Sequence, residues 1–297
     1  MNLELTFLGT ASAIPSKKRN HTSILLSLKD EKILIDCGEG TQRQLKIAKI
    51  KSSKITRIFL THWHADHSLG LAGLFQTLGM ADYSKTLKLY GPTGTKKKIG
   101  LLEKIYGKFK IKIEIKEIGN KKIEENEFII ESKKMQHLKE CNAYSIKVKD
   151  KLRIHKSKLR KLKIGNNPEL KKIIQGKNIK IGKKIIKSKD LTFLEKGKKI
   201  SFILDTKNNV NTVKIAKDSD VLVCESSFLP EEKEQARNYK HLTWEDATLI
   251  AKKANVKNLY LTHISQKHEN KTNLILKNAK KIFSKTKIAK DFDSVKI

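Results

Sequence analysis

The chain has 297 residues, with 64 Lys or Arg against 31 Asp or Glu, a formal net charge of +33 and 38% hydrophobic residues. A globular chain of this length buries roughly three quarters of its unfolded surface, so a full core is available and a disordered tail protein is excluded. The three cysteines, Cys37, Cys141 and Cys224, are odd in number and form no CxxC pair, which argues against a disulfide scaffold and a thiolate zinc site.

In chain order, Leu3 to Leu8, Thr22 to Leu28 and Lys32 to Ile35 read as strands, closed by the turn Asp36-Cys37-Gly38-Glu39-Gly40. Thr41 is expected to cap a helix running to Lys49. Ile55 to Leu60 has the continuous apolar character of a buried strand, and Leu71, Leu74, Phe75 and Leu78 give a helical period between Leu69 and Met80. A strand at Leu87 to Tyr90, a helix toward Tyr106 and strands near Ile111 to Ile115, Glu127 to Ser132 and Ala143 to Val148 follow.

Between Lys151 and Asp190 the character changes: 15 residues are basic and only Glu169 and Asp190 are acidic. The pattern there predicts short helices around Ser157 to Lys163 and Glu169 to Gln175, with a turn at Gly165-Asn166-Asn167-Pro168 and a stop at Gly176. The strand and helix alternation then resumes with a strand at Ile200 to Leu204, a helix at Val210 to Lys217 and a strand at Val221 to Cys224. A helix from Thr243, a strand at Asn258 to Leu261 and a helix at Lys271 to Phe283 complete it. This order predicts an α/β fold, with residues 1–150 and 191–297 forming one domain and 151–190 an insertion. The apolar runs fall far short of the roughly 20 residues that a membrane helix needs. The opening MNLELTFLGT has no secretory pattern, so a cytoplasmic protein without membrane association is expected.

His62-Trp63-His64-Ala65-Asp66-His67 places three imidazoles and a carboxylate in six residues directly after a buried strand. In extended backbone His62 and His64 point the same way and can grip one ion, while the following turn aims Asp66 and His67 at a neighbouring position. His137, Asp205 and His263 each follow a later strand, where α/β folds gather their sites. The candidate ligands are therefore His62, His64, Asp66, His67, His137, Asp205 and His263. Five imidazoles and two carboxylates without a thiolate suit two borderline divalent ions such as zinc, a pair able to acidify a water and stabilise charge on a phosphate. One echo links the halves: Ile58-Phe59-Leu60-Thr61-His62 and Leu259-Tyr260-Leu261-Thr262-His263 both end a strand on Thr-His. His21, His155 and His268 lack ligand spacing and read as surface histidines. Cys37 reads as a packing residue.

Phe7-Leu8-Gly9-Thr10, Asp36-Cys37-Gly38-Glu39-Gly40-Thr41 and the hexad, in that order, resemble the metallo-β-lactamase superfamily and, within it, the ribonuclease Z family of tRNA 3′-processing endoribonucleases. Pro15-Ser16-Lys17-Lys18-Arg19-Asn20 is similar to the family's PxKxRN segment. Cys224-Glu225-Ser226-Ser227-Phe228 is similar to its HEATF segment with Cys and Ser substituted, and His241-Leu242-Thr243 to its His-x-Thr element. The resemblance implies an αββα sandwich, a homodimer, two zinc ions per subunit, no organic cofactor, and cleavage of precursor tRNA after the discriminator nucleotide. It also implies that His62, His64 and His137 hold one ion, that Asp66, His67 and His263 hold the other, and that Asp205 bridges them. Asp66 would serve as general base, His241 would protonate the leaving oxygen and Glu225 would orient His241. The basic insertion falls where the family carries a flexible tRNA-binding arm, although Gly165-Asn166-Asn167-Pro168 departs from the usual Gly-Pro turn.

The Lys excess has a second origin. Six of the 64 basic residues are Arg (Arg19, Arg43, Arg57, Arg153, Arg160 and Arg237), so part of the charge reflects A/T-rich coding and solvated surface. A hydrolase of a small ester or cyclic phosphodiester on the same metal site, and a non-catalytic nucleic-acid-binding module, are the competing readings.

Overall fold

The computed structural model describes residues 3–165, 167–182 and 184–297. The expected turn at Asn166 lies outside the described residues. The chain divides into two compact units, one formed by residues up to Ile123 with Ile130–Ile146 and Lys199–Ile297, the other by Glu124–Ile129 and Lys147–Lys198.

The larger unit is built on two seven-stranded sheets. Across the first, the order is Ser294–Lys296, Leu3–Gly9, Ser23–Leu28, Glu31–Ile35, Arg57–Phe59, Thr86–Gly91 and Lys112–Glu117. The last four run parallel, with Ile35 opposite Phe59 and Ile58 opposite Leu89. Across the second, the order is Thr286–Ile288, Leu259–Thr262, Val221–Glu225, Lys199–Ile203, Asn142–Val148, Phe128–Lys134 and Lys121–Glu124, the first four again parallel. Parallel strands buried on both faces read as near-continuous apolar runs, as Ile58-Phe59 and Val221-Leu222-Val223-Cys224 do, while the buried charged residues Arg57 and Glu225 stand at strand ends.

Helices cover the outer faces. Leu45, Leu71, Leu74, Phe75, Leu78 and Ile99 pack from three helices against Leu34, Ile58 and Leu89. On the other side Ile215, Trp244, Ile250 and Ile275 pack against Leu222, Leu259 and Leu261. Aromatic rings join the two sheets: Phe59 meets Tyr144 edge-on at 5.1 Å between centroids and Phe7 stacks on Tyr260 at 5.7 Å. Such pairs contribute about 0.5–1.5 kcal/mol each beyond area burial. The buried Tyr144 hydroxyl is satisfied by the Leu60 carbonyl at 2.7 Å, which ties the end of the strand before the hexad to the second sheet. Four layers, helix, sheet, sheet, helix, result.

The smaller unit contains the expected insertion and extends beyond it at both ends. Its strands Lys151–Ile154 and Thr192–Glu195 pair antiparallel, as do Ile179–Ile181 and Lys184–Ile186. Ile173, Ile179 and Leu191, with Ile154, Leu159, Leu170, Ile181 and Ile186 around them, form a core of its own. The helix Leu170–Ile173 is shorter than expected, and Gly176, at φ +85°, lies just beyond it. Among the 15 cations between Lys151 and Asp190, only Lys151, Arg153 and Lys172 meet a carboxylate within the described residues.

The helix after the first turn begins at Thr41 itself. Gly40, in left-handed conformation at φ +72°, occupies the cap, and the Thr41 hydroxyl donates to the Gly38 carbonyl. The expected Thr243 cap is present: its hydroxyl accepts from the Asp246 amide, and the Asp246 carboxylate accepts from the Thr243 amide. No helix among the described residues is long and apolar enough to cross a membrane.

Candidate metal centre

The centre forms where parallel strands of both sheets end. Thr61 and His62 follow Arg57–Phe59, the hexad continues as a loop, and Ala65–Ser68 closes into a short helix. The backbone of the Asp36-Cys37-Gly38 turn pins that helix, since the Cys37 amide donates to the His67 carbonyl and the Gly70 amide to the Cys37 carbonyl. Glycine is obligatory at this approach: a Cβ on Gly38 would lie 2.4 Å from the Asp66 carbonyl and one on Gly70 2.1 Å from the Gly38 carbonyl. Asp36, Asp205 and His263 all sit in left-handed backbone, at φ +57°, +46° and +58°.

Hydrogen bonds fix which ring nitrogens face inward. The Thr61 hydroxyl donates to Asp36 Oδ2 at 2.7 Å, so it accepts from His62 Nδ1 at 3.0 Å and leaves the His62 Nε2 lone pair free. The second half repeats the device: Ser227 Oγ donates to Glu225 Oε2 at 2.7 Å and accepts from His263 Nδ1 at 2.8 Å. His67 donates through Nδ1 to Asp36 at 2.7 Å, and His137 through Nδ1 to the Lys240 carbonyl at 3.0 Å.

The inward atoms converge. His67 Nε2 and His263 Nε2 are 3.2 Å apart, and His64 Nδ1 and His137 Nε2 3.0 Å. Asp205 Oδ2 lies 3.5 Å from His62 Nε2 and 3.3 Å from His67 Nε2, and Asp205 Oδ1 lies 3.1 Å from His263 Nε2. His62, His64, His137 and Asp205 form one group able to hold an ion, and Asp66, His67, Asp205 and His263 a second, so Asp205 is shared. The seven expected residues are thus brought together. Among the described residues His62 Nε2 and Asp205 Oδ1 are buried without a hydrogen-bond partner, and buried polar atoms are rarely left so. Facing lone pairs plus orphaned buried acceptors fit divalent cations.

The electrostatics give the same answer. Burial favours the neutral imidazole at His67, yet Asp205 and Asp36 outweigh it and hold the ring well above its ordinary range. Burial and the neighbouring His67 hold His62 well below it. Asp66, although desolvated, is held low by hydrogen bonds from His263 and His67. The carboxylates require positive charge among rings that cannot all accept protons.

His241 stands beside the second group, its Nδ1 2.9 Å from Glu225 Oε2. Burial would lower its pKa, but Glu225 and Asp205 raise it to about 9. Glu225 is itself fixed by the Thr206 amide at 2.6 Å. A cavity of about 790 Å³ opens onto these groups, and its wall includes Phe228 and Tyr239, stacked at 6.3 Å and 8°.

Asp36, Thr61 and Ser227, which orient the rings by hydrogen bonds, have no role in the reading of the sequence alone. The turn motif after the second hairpin strand and the Ser-Ser following Glu225 were the available signals. His21 and His268 are not surface residues as expected. His21 is buried behind Gly38, with Nε2 3.2 Å from the Ala13 carbonyl, and His268 is buried with Nε2 2.8 Å from Glu232. The three cysteines are free and buried, and burial pushes the Cys37 thiol up to about 12, consistent with a packing role.

Two seven-stranded sheets between helices, with a His/Asp cluster at their strand ends, define a protein of the metallo-β-lactamase fold. Human tRNase Z, short form, superposes with a TM-score of 0.71 over 98% of each chain at 22% identity. The family model described as Anti-Pycsar protein Apyc1 matches residues 3–160. Ribonuclease Z from Nanoarchaeum equitans is 39% identical over 88% of this chain and 83% of its own. Ribonuclease Z from Methanothermobacter thermautotrophicus is 35% identical over 99% and 97%. The chain belongs, through its first half, to the family that model describes and, over nearly its whole length, to the ribonuclease Z family.

Proposed function

We propose that the chain removes the 3′ trailer from precursor tRNA, using two zinc ions per subunit and leaving a 3′-hydroxyl on the tRNA and a 5′-phosphate on the trailer. The observation that carries this reading is the convergence of imidazole nitrogens and the Asp66 carboxylate on the shared Asp205, in a chain similar over nearly its whole length to ribonuclease Z. His62, His64 and His137 would hold one ion and Asp66, His67 and His263 the other, with Asp205 between them. Bound there, the ions supply Lewis acidity, lowering the pKa of a water and countering charge on the phosphate.

The chain's own groups do the rest. Asp66, kept ionised by His67 and His263, accepts the proton of the attacking water. His241, kept protonated by Glu225, donates to the oxygen that leaves. Asp36, Thr61 and Ser227 hold the rings in the required tautomers. The smaller unit supplies phosphate contacts to the tRNA through its unpaired cations, a sequence-independent term suited to a substrate of one shape and many sequences. In this reading the protein works as a homodimer in the cytoplasm and needs no organic cofactor.

The direct test incubates the protein with a 3′-extended tRNA, with and without chelator, and maps the cut to one nucleotide. A single chelator-sensitive cut after the discriminator is expected. Uncut precursor in the presence of zinc would refute the activity.

A further inference from the structure

His241 lines two cavities. The first holds the metal-binding residues. The second, of about 750 Å³, is bounded by Gln136, Lys207, Asn208, Lys233, Arg237 and Asp246, together with four other residues that include His241. Its walls are anchored to the centre itself. Lys207 follows Asp205 by two residues and its amide donates to the Gln136 carbonyl, while the Gln136 amide donates to Thr206 Oγ1 at 3.0 Å. Lys233 and Arg237, four apart on the helix Lys233–Asn238, share one face of it.

The charge in this second cavity is unbalanced. Lys207, Lys233 and Arg237 are exposed, and among the described residues none of the three side chains meets a hydrogen-bond or ion-pair partner. The one carboxylate in the wall, Asp246, is engaged by the Thr243 amide at 3.2 Å and hydroxyl at 2.7 Å. Three cations facing one space, with neutral amides between them, match a polyanion.

The chemistry gives the direction of that polyanion, on the reading of the chain as a nuclease that leaves a 3′-hydroxyl. The bond broken joins phosphorus to the 3′ oxygen of the upstream nucleotide, and the proton from His241 goes to that oxygen. The ribose that carries it therefore lies at His241, and the second cavity, which His241 also lines, is open to what is attached to that ribose in the 5′ direction. We propose that this second cavity is a subsite for backbone phosphates on the 5′ side of the scissile bond, held by Lys207, Lys233 and Arg237.

The test is steady-state cleavage of a 3′-extended tRNA by the full chain carrying K207Q, K233Q and R237Q together. KM is expected to rise about tenfold with kcat within about threefold, and the slope of log(kcat/KM) against log salt to flatten by about 2. The charge-keeping variant K207R/K233R/R237K should retain the wild-type KM, which a merely structural role for these side chains would not explain. Methylphosphonate linkages 5′ of the cut should raise KM in the wild type and have no further effect in the triple Gln variant. An unchanged KM and salt slope in that variant overturns the subsite. If instead methylphosphonates on the trailer side raise KM in the wild type and those 5′ of the cut do not, the direction of the subsite is overturned. A wild-type protein that leaves the tRNA uncut overturns the nuclease reading and this inference with it, whereas normal cleavage by the triple variant overturns the subsite alone.

Discussion

The metal centre and the inserted basic unit handle charge in opposite ways. In the centre Asp36, His62, His67, Asp205 and His263 are buried, and their outward-facing ring nitrogens are tied to a neighbouring oxygen. In the insertion most cations are unpaired and sit on a small apolar core. Lone pairs must be aimed and desolvated to hold an ion, because an untied imidazole rotates away or takes a proton. Phosphate contacts need only charge within reach in water, and a partner within the protein would cancel it. On the proposed function, catalysis would rest on satisfied groups and binding on unsatisfied ones.

That contrast breaks most severely at Asp205, which both ligand groups share. Asp205→Asn is expected to bind less than half the metal of the wild type and to lose kcat on the order of 10³-fold or more, measured by metal analysis beside steady-state cleavage. Full metal with normal turnover would refute the shared-ligand role. Asp66→Ala should cost kcat on the order of 10²–10⁴-fold while KM for tRNA stays within about threefold. A matching rise in KM would place substrate binding, not proton transfer, at Asp66.

In the insertion, replacing Lys156, Lys161, Lys171 and Lys177 together by Gln should raise KM by on the order of tenfold and flatten the salt slope by about 3, with the loss confined to KM. Equal loss in kcat would mean that the unit does more than bind. The smallest effect is a shift of pH profile. On the proposed mechanism His241 acts as its cation, and with its pKa raised to about 9 the activity that depends on it should be lost as pH rises through that value. Glu225→Gln removes the charge that raises it, and the alkaline limb should move toward lower pH by roughly one unit. An unmoved limb would detach His241 from the rate.

The first half of the centre was legible because its ligands are adjacent: no packing argument explains three imidazoles and a carboxylate in six residues. His137, Asp205 and His263 were legible only as strand ends, since their neighbours in sequence say nothing about which sheet they serve. Asp36, Thr61 and Ser227 escaped because a carboxylate or hydroxyl beside a strand is ordinary until the fold brings an imidazole to it. The strands Lys151–Ile154 and Thr192–Glu195 escaped for a related reason, as they are only four residues long and are paired with each other across a long stretch of sequence. His21 shows the reverse error: polar neighbours in sequence implied exposure, but the tight approach at Gly38 encloses it.

The left-handed backbone at Asp36, Asp205 and His263 bears on how the protein survives without its ions. Each such residue opposes folding by on the order of 1–3 kcal/mol, and Asp205 adds a buried acceptor that no group satisfies. In the ion-free chain the centre is therefore a point of weakness, offset when ligand binding shifts the equilibrium toward the native state. Asp205→Gly removes the strain and the orphaned acceptor, but it also strips His67 of the carboxylate that holds its charge. Restoring divalent metal to the stripped wild type should therefore raise its melting temperature and leave that of Asp205→Gly nearly unmoved, so that the ion, and not the protein alone, completes the fold at these strand ends.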